Sequence, residues 1–421
     1  MSPLVNTAHL QGLTREKRMV LRSGHVGNTA ARGMLSVHDT GQYKGSGESW
    51  GPVALWSLGC SHTTLQNNEV YHSSDGNTGN DAAGIDVDWD NSYVTVQSNY
   101  LHDNEGPGIE VLSSDHTSLA YNRIYNNAAT TDNKPGQISL DDFGDGVLHG
   151  ITNSTITHNV IVLAASVSTG LSTHGTSGYS WTADGYTDNY VLFQQSTWAY
   201  DLEIDGYGVM ATANANQFYS GNGTGFSGTI NGANYKSLSS CRSSTGFDSA
   251  STETTGTSIS QERADFTPAG HTSSQWTYLY STNGESSFLG MRWKETTQQW
   301  NGSEPYCLVG AGWEQPGGTS CDAALAWTAE NAGSASIRAD LPITVQTGCG
   351  GSGVRIRILQ NDTQIWPSSG WKSLANGAKY VFPGVTAVVR ADDQLHFVIQ
   401  HIGRNNDCDA TYWIPTVVSH P

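Results

Sequence analysis

The sequence predicts an all-β chain in two parts, a solenoid of stacked coils followed by an antiparallel β-sandwich. Three observations predict it. One short motif restarts between Gly51 and Gly206; 48 glycines accompany only 14% charged residues; and from Trp276 onward the motif gives way to short alternating strands.

The repeat is visible in GIDVDWDNSYVTVQSNYLHDN (84–104), GIEVLSSDHTSLAYNRIYNN (108–127) and GQISLDDFGDGVLHGITNSTITHNVIV (136–162). Each has a glycine, an alternating run, a polar turn, a second alternating run and an Asn-rich corner. With no 3.6-residue periodicity, this layout means a coil of strand, turn, strand and turn that buries its apolar side only against its neighbours. A flat sandwich with Asn-containing turns is the alternative, but the turns recur at matching points of the repeat. Alternation sends Ile85, Val87, Ile109, Val111, Ile138 and Leu140 inward as aliphatic columns. Asn99, Asn122 and Asn159 fall at equivalent corners, where an asparagine tolerates left-handed backbone and bonds to the coils above and below, an asparagine ladder.

At the start, REKRMVLRSG (15–24) reads as a strand, and Val5 to Glu16 suit a short helix over the open end of the stack. No signal peptide is visible, and the abrupt entry suggests that a leader and a first coil have been removed. After Gly221 the repeat fades. Ser237 to Thr257 is Ser/Thr/Gly-rich and reads as a closing strap and linker, with the domain boundary at 270. From 271 to 421, strands such as ALAWTAE, GVRIRILQND and DQLHFVIQHIG suit a sandwich or jelly roll. This part is rich in tryptophan, most of it expected in core or rim. Trp366 and Trp371, flanking the IWPSSGW turn, are candidates for an exposed platform under a sugar ring.

The formal charge of −18 argues against nucleic acid and against simple attraction to an anionic polymer. No run is long enough to cross a membrane. Six cysteines suit an exported protein, with Cys307–Cys321 and Cys349–Cys408 as the expected pairs, and Asn153, Asn222, Asn301 and Asn361 open glycosylation triplets that matter in a eukaryotic host. A secreted monomer is expected.

The segment GIDVDWDNSYVTVQSNYLHDNEGPGIEVL, with the coils around it, resembles the right-handed parallel β-helix proteins of the pectate-lyase-like superfamily, a class largely of polysaccharide lyases and glycoside hydrolases. YKSLSSCRSSTGFDSAS followed by ADFTPAG resembles the close of bacterial β-helix enzymes that carry an added sandwich. The resemblance covers about residues 15 to 270 and is specific for fold; the reaction must be argued from the site.

In register, Asp86 stacks on Glu110 and Ser139, and Asp88 on Leu112 and Asp141; Ser172 and His174 follow, then Glu203 and Asp205, while Ala54 and Trp56 precede. With Trp89, this forms an exposed strip of carboxylates and aromatics. Coils about 4.8 Å apart make Asp86 and Glu110 near neighbours, which should keep one carboxyl protonated as a general acid. Glycoside hydrolysis needs such a pair, about 5 Å apart for retention and roughly 6.5 to 9.5 Å for inversion. Resemblance to β-helix hydrolases, whose sites group three acidic residues across neighbouring coils, favours inversion, with Asp141 or Asp142 as acid, Asp86 and Asp88 as base and Glu110 in support. Trp56, Trp89, His174, Glu203, Asp205, Trp366 and Trp371 are the candidate sugar-binding residues. Plainer roles stand beside these: Asp141 and Asp142 capping the Gly-Asp-Gly turn, His174 packing, Trp56 shielding the groove floor.

Two other functions fit the strip. Asp86, Asp88 and Asp90 have the oxygen chemistry for Ca2+, as in calcium-assisted lyases of this fold, although no cofactor is required for hydrolysis. A lyase also needs a basic residue there, and Arg123 falls on a later strand and Lys134 in a corner. That absence favours a hydrolase acting on a neutral or weakly charged polysaccharide or oligosaccharide. A non-catalytic glycan-binding protein or adhesin is the third reading.

Overall fold

The computed structural model describes residues 53–75, 81–128, 136–142, 150–164, 168–175, 184–195, 198–204, 212–221, 225–266, 275–282, 287–294, 296–318, 320–339, 341–348, 350–403, 407 and 409–420, with strand backbone also at 19–22, 30–32 and 36–38. The expected N-terminal helix at Val5 to Glu16 lies outside the described residues. The chain divides into two units, 1–257 and 258–421.

The first unit is a parallel solenoid with three strands per coil, which build three sheets of nine, seven and eight strands. In one coil these are Ile85–Val87, Thr95–Gln97 and Tyr100–His102; in the next, Ile109–Leu112, Ser118–Ala120 and Arg123–Tyr125. The expected second run is therefore two strands. Ser98, at φ 53°, breaks it and turns the chain toward the third sheet. Neighbouring coils pair in parallel, Ile85 beside Ile109 beside Ile138, and all three are fully buried. Each such aliphatic side chain contributes about 1.5–3 kcal/mol by leaving water. Gly84 and Gly108 sit where coils approach most closely: a Cβ on Gly108 would stand 2.5 Å from Ile124 Cγ2, and one on Gly84 2.9 Å from Asn104 Nδ2.

At the corner between the second and third sheets, Asn99 Oδ1 accepts from the backbone N–H and the side-chain amide of Asn68, at 3.0 and 2.9 Å. Asn122, Asn159, Asn189 and Asn216 repeat the arrangement down the stack. The ladder ends on Ser251 and Asp248. Left-handed backbone belongs to the residue before each ladder asparagine, Ser98, Tyr121 and His158 among them, rather than to the asparagine itself. A second ladder runs through Asn104, Asn127 and Gln137 at the corner after the third sheet.

The solenoid continues past Gly221, through the strands Ser227–Ile230 and Thr252–Thr255. The expected strap contains the one helix among the described residues, Leu238–Thr245. Its Ser/Thr-rich composition reads as loop, but Ser237 caps its start and Gly246, at φ 78°, its end. Leu238 and Cys241 bury into the core of the coils.

The second unit has antiparallel sheets of four, seven and seven strands around a separate core that includes Trp276, Trp327 and Trp413. Its first strand is Ser258–Gln261, which pairs with Pro415–His420, so the division falls ahead of residue 270. Cys307 and Cys321 form a disulfide. Cys349 and Cys408 lie outside the described residues.

Candidate active site

The strands of the first sheet bring the sequence-predicted residues into two rows. One row reads Trp56, Asp86, Glu110, Ser139, Ser172 and Asp201. The other, two residues along, reads Leu112, Asp141, His174 and Glu203, with Asp88 just past its own strand. Asp201, not Glu203, is therefore the rung after Ser172. Glu203 is placed by backbone alone, and Asp205 lies outside the described residues.

The rows face away from the aliphatic core, yet they are not the exposed strip that alternation suggests. Asp86 is 5% exposed, Asp88 6%, and Glu110 and Asp141 have no accessible surface. Alternation fixes direction and not depth, and each outward side chain has an in-register neighbour on the coil above and below. The accessible parts of the rows are the half-buried Trp56 and Trp89 and the His174 side chain, 27% exposed.

Asp88, Asp141 and Asp142 are each held by hydrogen bonds. Asp88 accepts from the indole Nε1–H of Trp56 at 2.6 Å and from the backbone N–H of Trp89 at 2.8 Å. The Trp89 indole N–H, beside it in sequence, is buried with no acceptor among the described residues. Asp141 accepts from Ser139 Oγ at 2.7 Å, and its other oxygen is 3.2 Å from His174 Nδ1. Ser139 Oγ also bonds Ser172 Oγ at 3.0 Å along the first row, while its bond to Asp141 joins that row to the second. Asp142 points the other way along the strand: it accepts from Ser113 Oγ at 3.0 Å and from the backbone N–H of Gly150. Those are the bonds of a corner cap.

Among the described residues, no three of His, Cys, Asp and Glu converge to hold a metal ion. Arg123 lies in the third sheet and Lys134 outside the described residues. The two sandwich tryptophans differ from expectation. Trp366 is buried in the core of the second unit, edge-on to Phe382 at 5.1 Å, because its strand turns it inward. Trp371 is half-buried, with the guanidinium groups of Arg355 and Arg357 over its ring.

Sequence reasoning missed an outer stack on the third sheet. The His102 ring lies between Tyr71 at 4.8 Å and Tyr100 at 4.2 Å, with Asp103 2.8 Å from its Nδ1. The signal was present in YLHD, since in-register coils bring Tyr71 beside His102. It also missed Asp184, whose carboxyl burial pushes up to about 7 against the opposing Ser154 N–H bond. That residue braces a corner.

No curated protein matches the chain. Among solved structures, the chain is similar to the phiAB6 tailspike, solved in complex with three-repeated oligosaccharides of Acinetobacter baumannii surface polysaccharide. The identity is 10% and the TM-score 0.21, over 89% of this chain and 72% of that one. It is also similar to the tailspike protein gp49 from Acinetobacter baumannii bacteriophage Fri1, a capsular polysaccharide depolymerase, at 9% identity and a TM-score of 0.19, over 86% and 68%. Residues 48–180 match the family model described as the right handed beta helix region, and that match, over coils whose parallel register is given above, identifies the first unit as a right-handed parallel β-helix.

Proposed function

We propose that the chain is a glycoside hydrolase that cleaves a neutral or weakly charged polysaccharide or oligosaccharide, with Asp141 as general acid and Asp86 with Asp88 as base. One observation carries this reading: register stacks Asp86 on Glu110, with Asp88 and Asp141 two residues along, beside Trp56 and Trp89, and no lysine or arginine stands in those rows between Trp56 and His174. Glycoside hydrolysis uses one carboxyl group to donate to the leaving oxygen and a second to activate water. Asp88 and Asp141 stand two coils apart, roughly 9.5 Å by strand spacing, which supports the wider separation that admits a water and gives inversion. His174 holds Asp141 in position, and Trp56 holds Asp88. Asp142, engaged by Ser113 and Gly150, is a corner residue in this scheme. The disulfide in the second unit suits an extracellular setting.

The burial of Glu110 and Asp141 favours a second reading, glycan binding without cleavage, in which the polar rows are internal bracing. Incubation with a panel of polysaccharides separates the readings. New reducing ends without unsaturated products support the hydrolase; unsaturated uronates that vanish with EDTA establish a lyase; binding without products establishes the second reading.

A further inference from the structure

The second unit carries a polar face that the proposed chemistry does not use. In the strand Val354–Gln360, alternation sends Val354, Ile356 and Ile358 into the core and Arg355 and Arg357 to the opposite side. Both guanidinium groups stand over the indole of Trp371, at 5.0 and 4.2 Å from its centroid. Register places Gln400 beside Arg355 and Val398 beside Arg357, and Arg355 Nε donates to Gln400 Oε1. Next across the sheet come Ala324, level with Val398, and Asp322, which accepts from Ser281 Oγ at 3.3 Å. The floor is thus small and apolar, Ala324 and Val398, with cations and an aromatic ring on one side.

Asp322 acts on Arg357, whereas the partners of Arg355 among the described residues are neutral, Gln400 and the indole. Among the described residues, Asp322 is the carboxylate that acts on this pair of guanidinium groups, which leaves positive charge on this face, in a chain whose net charge is −18. A guanidinium fork matches a carboxylate with two parallel hydrogen bonds, and the indole beside it offers an apolar surface to a sugar ring.

We propose that the Arg355–Trp371–Arg357 face binds a carboxylate-bearing sugar residue of the glycan. This rests on the glycan-directed reading above and narrows it to a polymer carrying sparse acidic residues. Such a polymer is repelled by the chain as a whole and captured locally by this face.

The test is calorimetric titration of the full chain, made inactive by Asp141→Asn, with a uronate oligosaccharide and with a neutral oligosaccharide of equal length, at low and high salt. Expected are tighter binding of the acidic ligand, weakening with salt, and at least a tenfold loss on Arg355→Gln, with Arg355→Lys intermediate and melting temperature unchanged in both. Equal binding of acidic and neutral ligands, or acidic binding indifferent to Arg355→Gln, overturns the proposal, as does inorganic phosphate competing as well as the oligosaccharide. Acidic binding lost on Arg355→Gln in a chain that cleaves nothing sinks the hydrolase and leaves this face standing. Cleavage with binding indifferent to Arg355 does the reverse.

Discussion

The indole Nε1–H of Trp56 donates to Asp88 Oδ2 at 2.6 Å, from one coil to the next. A hydrogen bond to a charged group is worth roughly 1.5–3 kcal/mol. Trp56→Phe, which keeps the ring and removes the donor, should therefore lower the melting temperature by several degrees and, with Asp88 left unsupported, kcat about tenfold or more. Unchanged kcat would remove Asp88 from the machinery.

Asp141 is held by Ser139 and His174. Asp141→Asn preserves its size and one acceptor but cannot donate an acidic proton, so turnover should fall by roughly 10²–10⁴ with binding retained. Asp142→Asn, at the corner cap, should act on stability instead. If the two variants exchange these phenotypes in paired rate and melting measurements, the acid is Asp142.

The asparagine ladder predicts a position-dependent stability loss. Asn122 Oδ1 accepts from both the backbone and the side chain of Asn99, and its own amide reaches Val96 and Asn159. Asn122→Ala strands several buried groups at once and should cost about 3 kcal/mol or more. Asn153→Ala, which removes one exposed bond to Asp115 and places alanine in left-handed backbone at φ 55°, should cost only about 1 kcal/mol. Denaturant titration of both variants checks the contrast.

In the second unit, burial pushes Glu262 up to about 8 and, with the Glu262 charge added, Glu314 well above its ordinary value. Arg263 works against the shift and Asp265 with it, and the Gly312 N–H donates to Glu262 at 2.9 Å. The folded chain keeps protons that the unfolded chain releases above pH 4.5, so stability should fall as pH rises from 4.5 toward 8. Melting of the second unit should drop on the order of 5 °C across that window. Glu314→Gln should flatten the curve; a slope equal to the parent's would place the protons elsewhere.

The solenoid was legible because its signal is repeated: Ile85, Ile109 and Ile138 fall in line from the glycines that precede them, and their register follows. The third strand of each coil was not, since only two polar residues part Thr95–Gln97 from Tyr100–His102 and the break falls at a left-handed serine, not a glycine or proline. The site rows were legible in direction. Their depth was not, because shielding of Glu110 depends on whatever lies over it and not on its own strand. Trp366 shows the same limit, since flanking a turn says nothing about which way the ring faces.

Ladder asparagines are spaced 31, 23, 37, 30 and 27 residues apart, yet every step makes the same pair of bonds. Length is therefore decoupled from alignment: a turn of the spiral can gain or shed a dozen residues and the following turn still seats correctly. Such a framework accommodates excursions of different length while the spine they hang from stays unchanged.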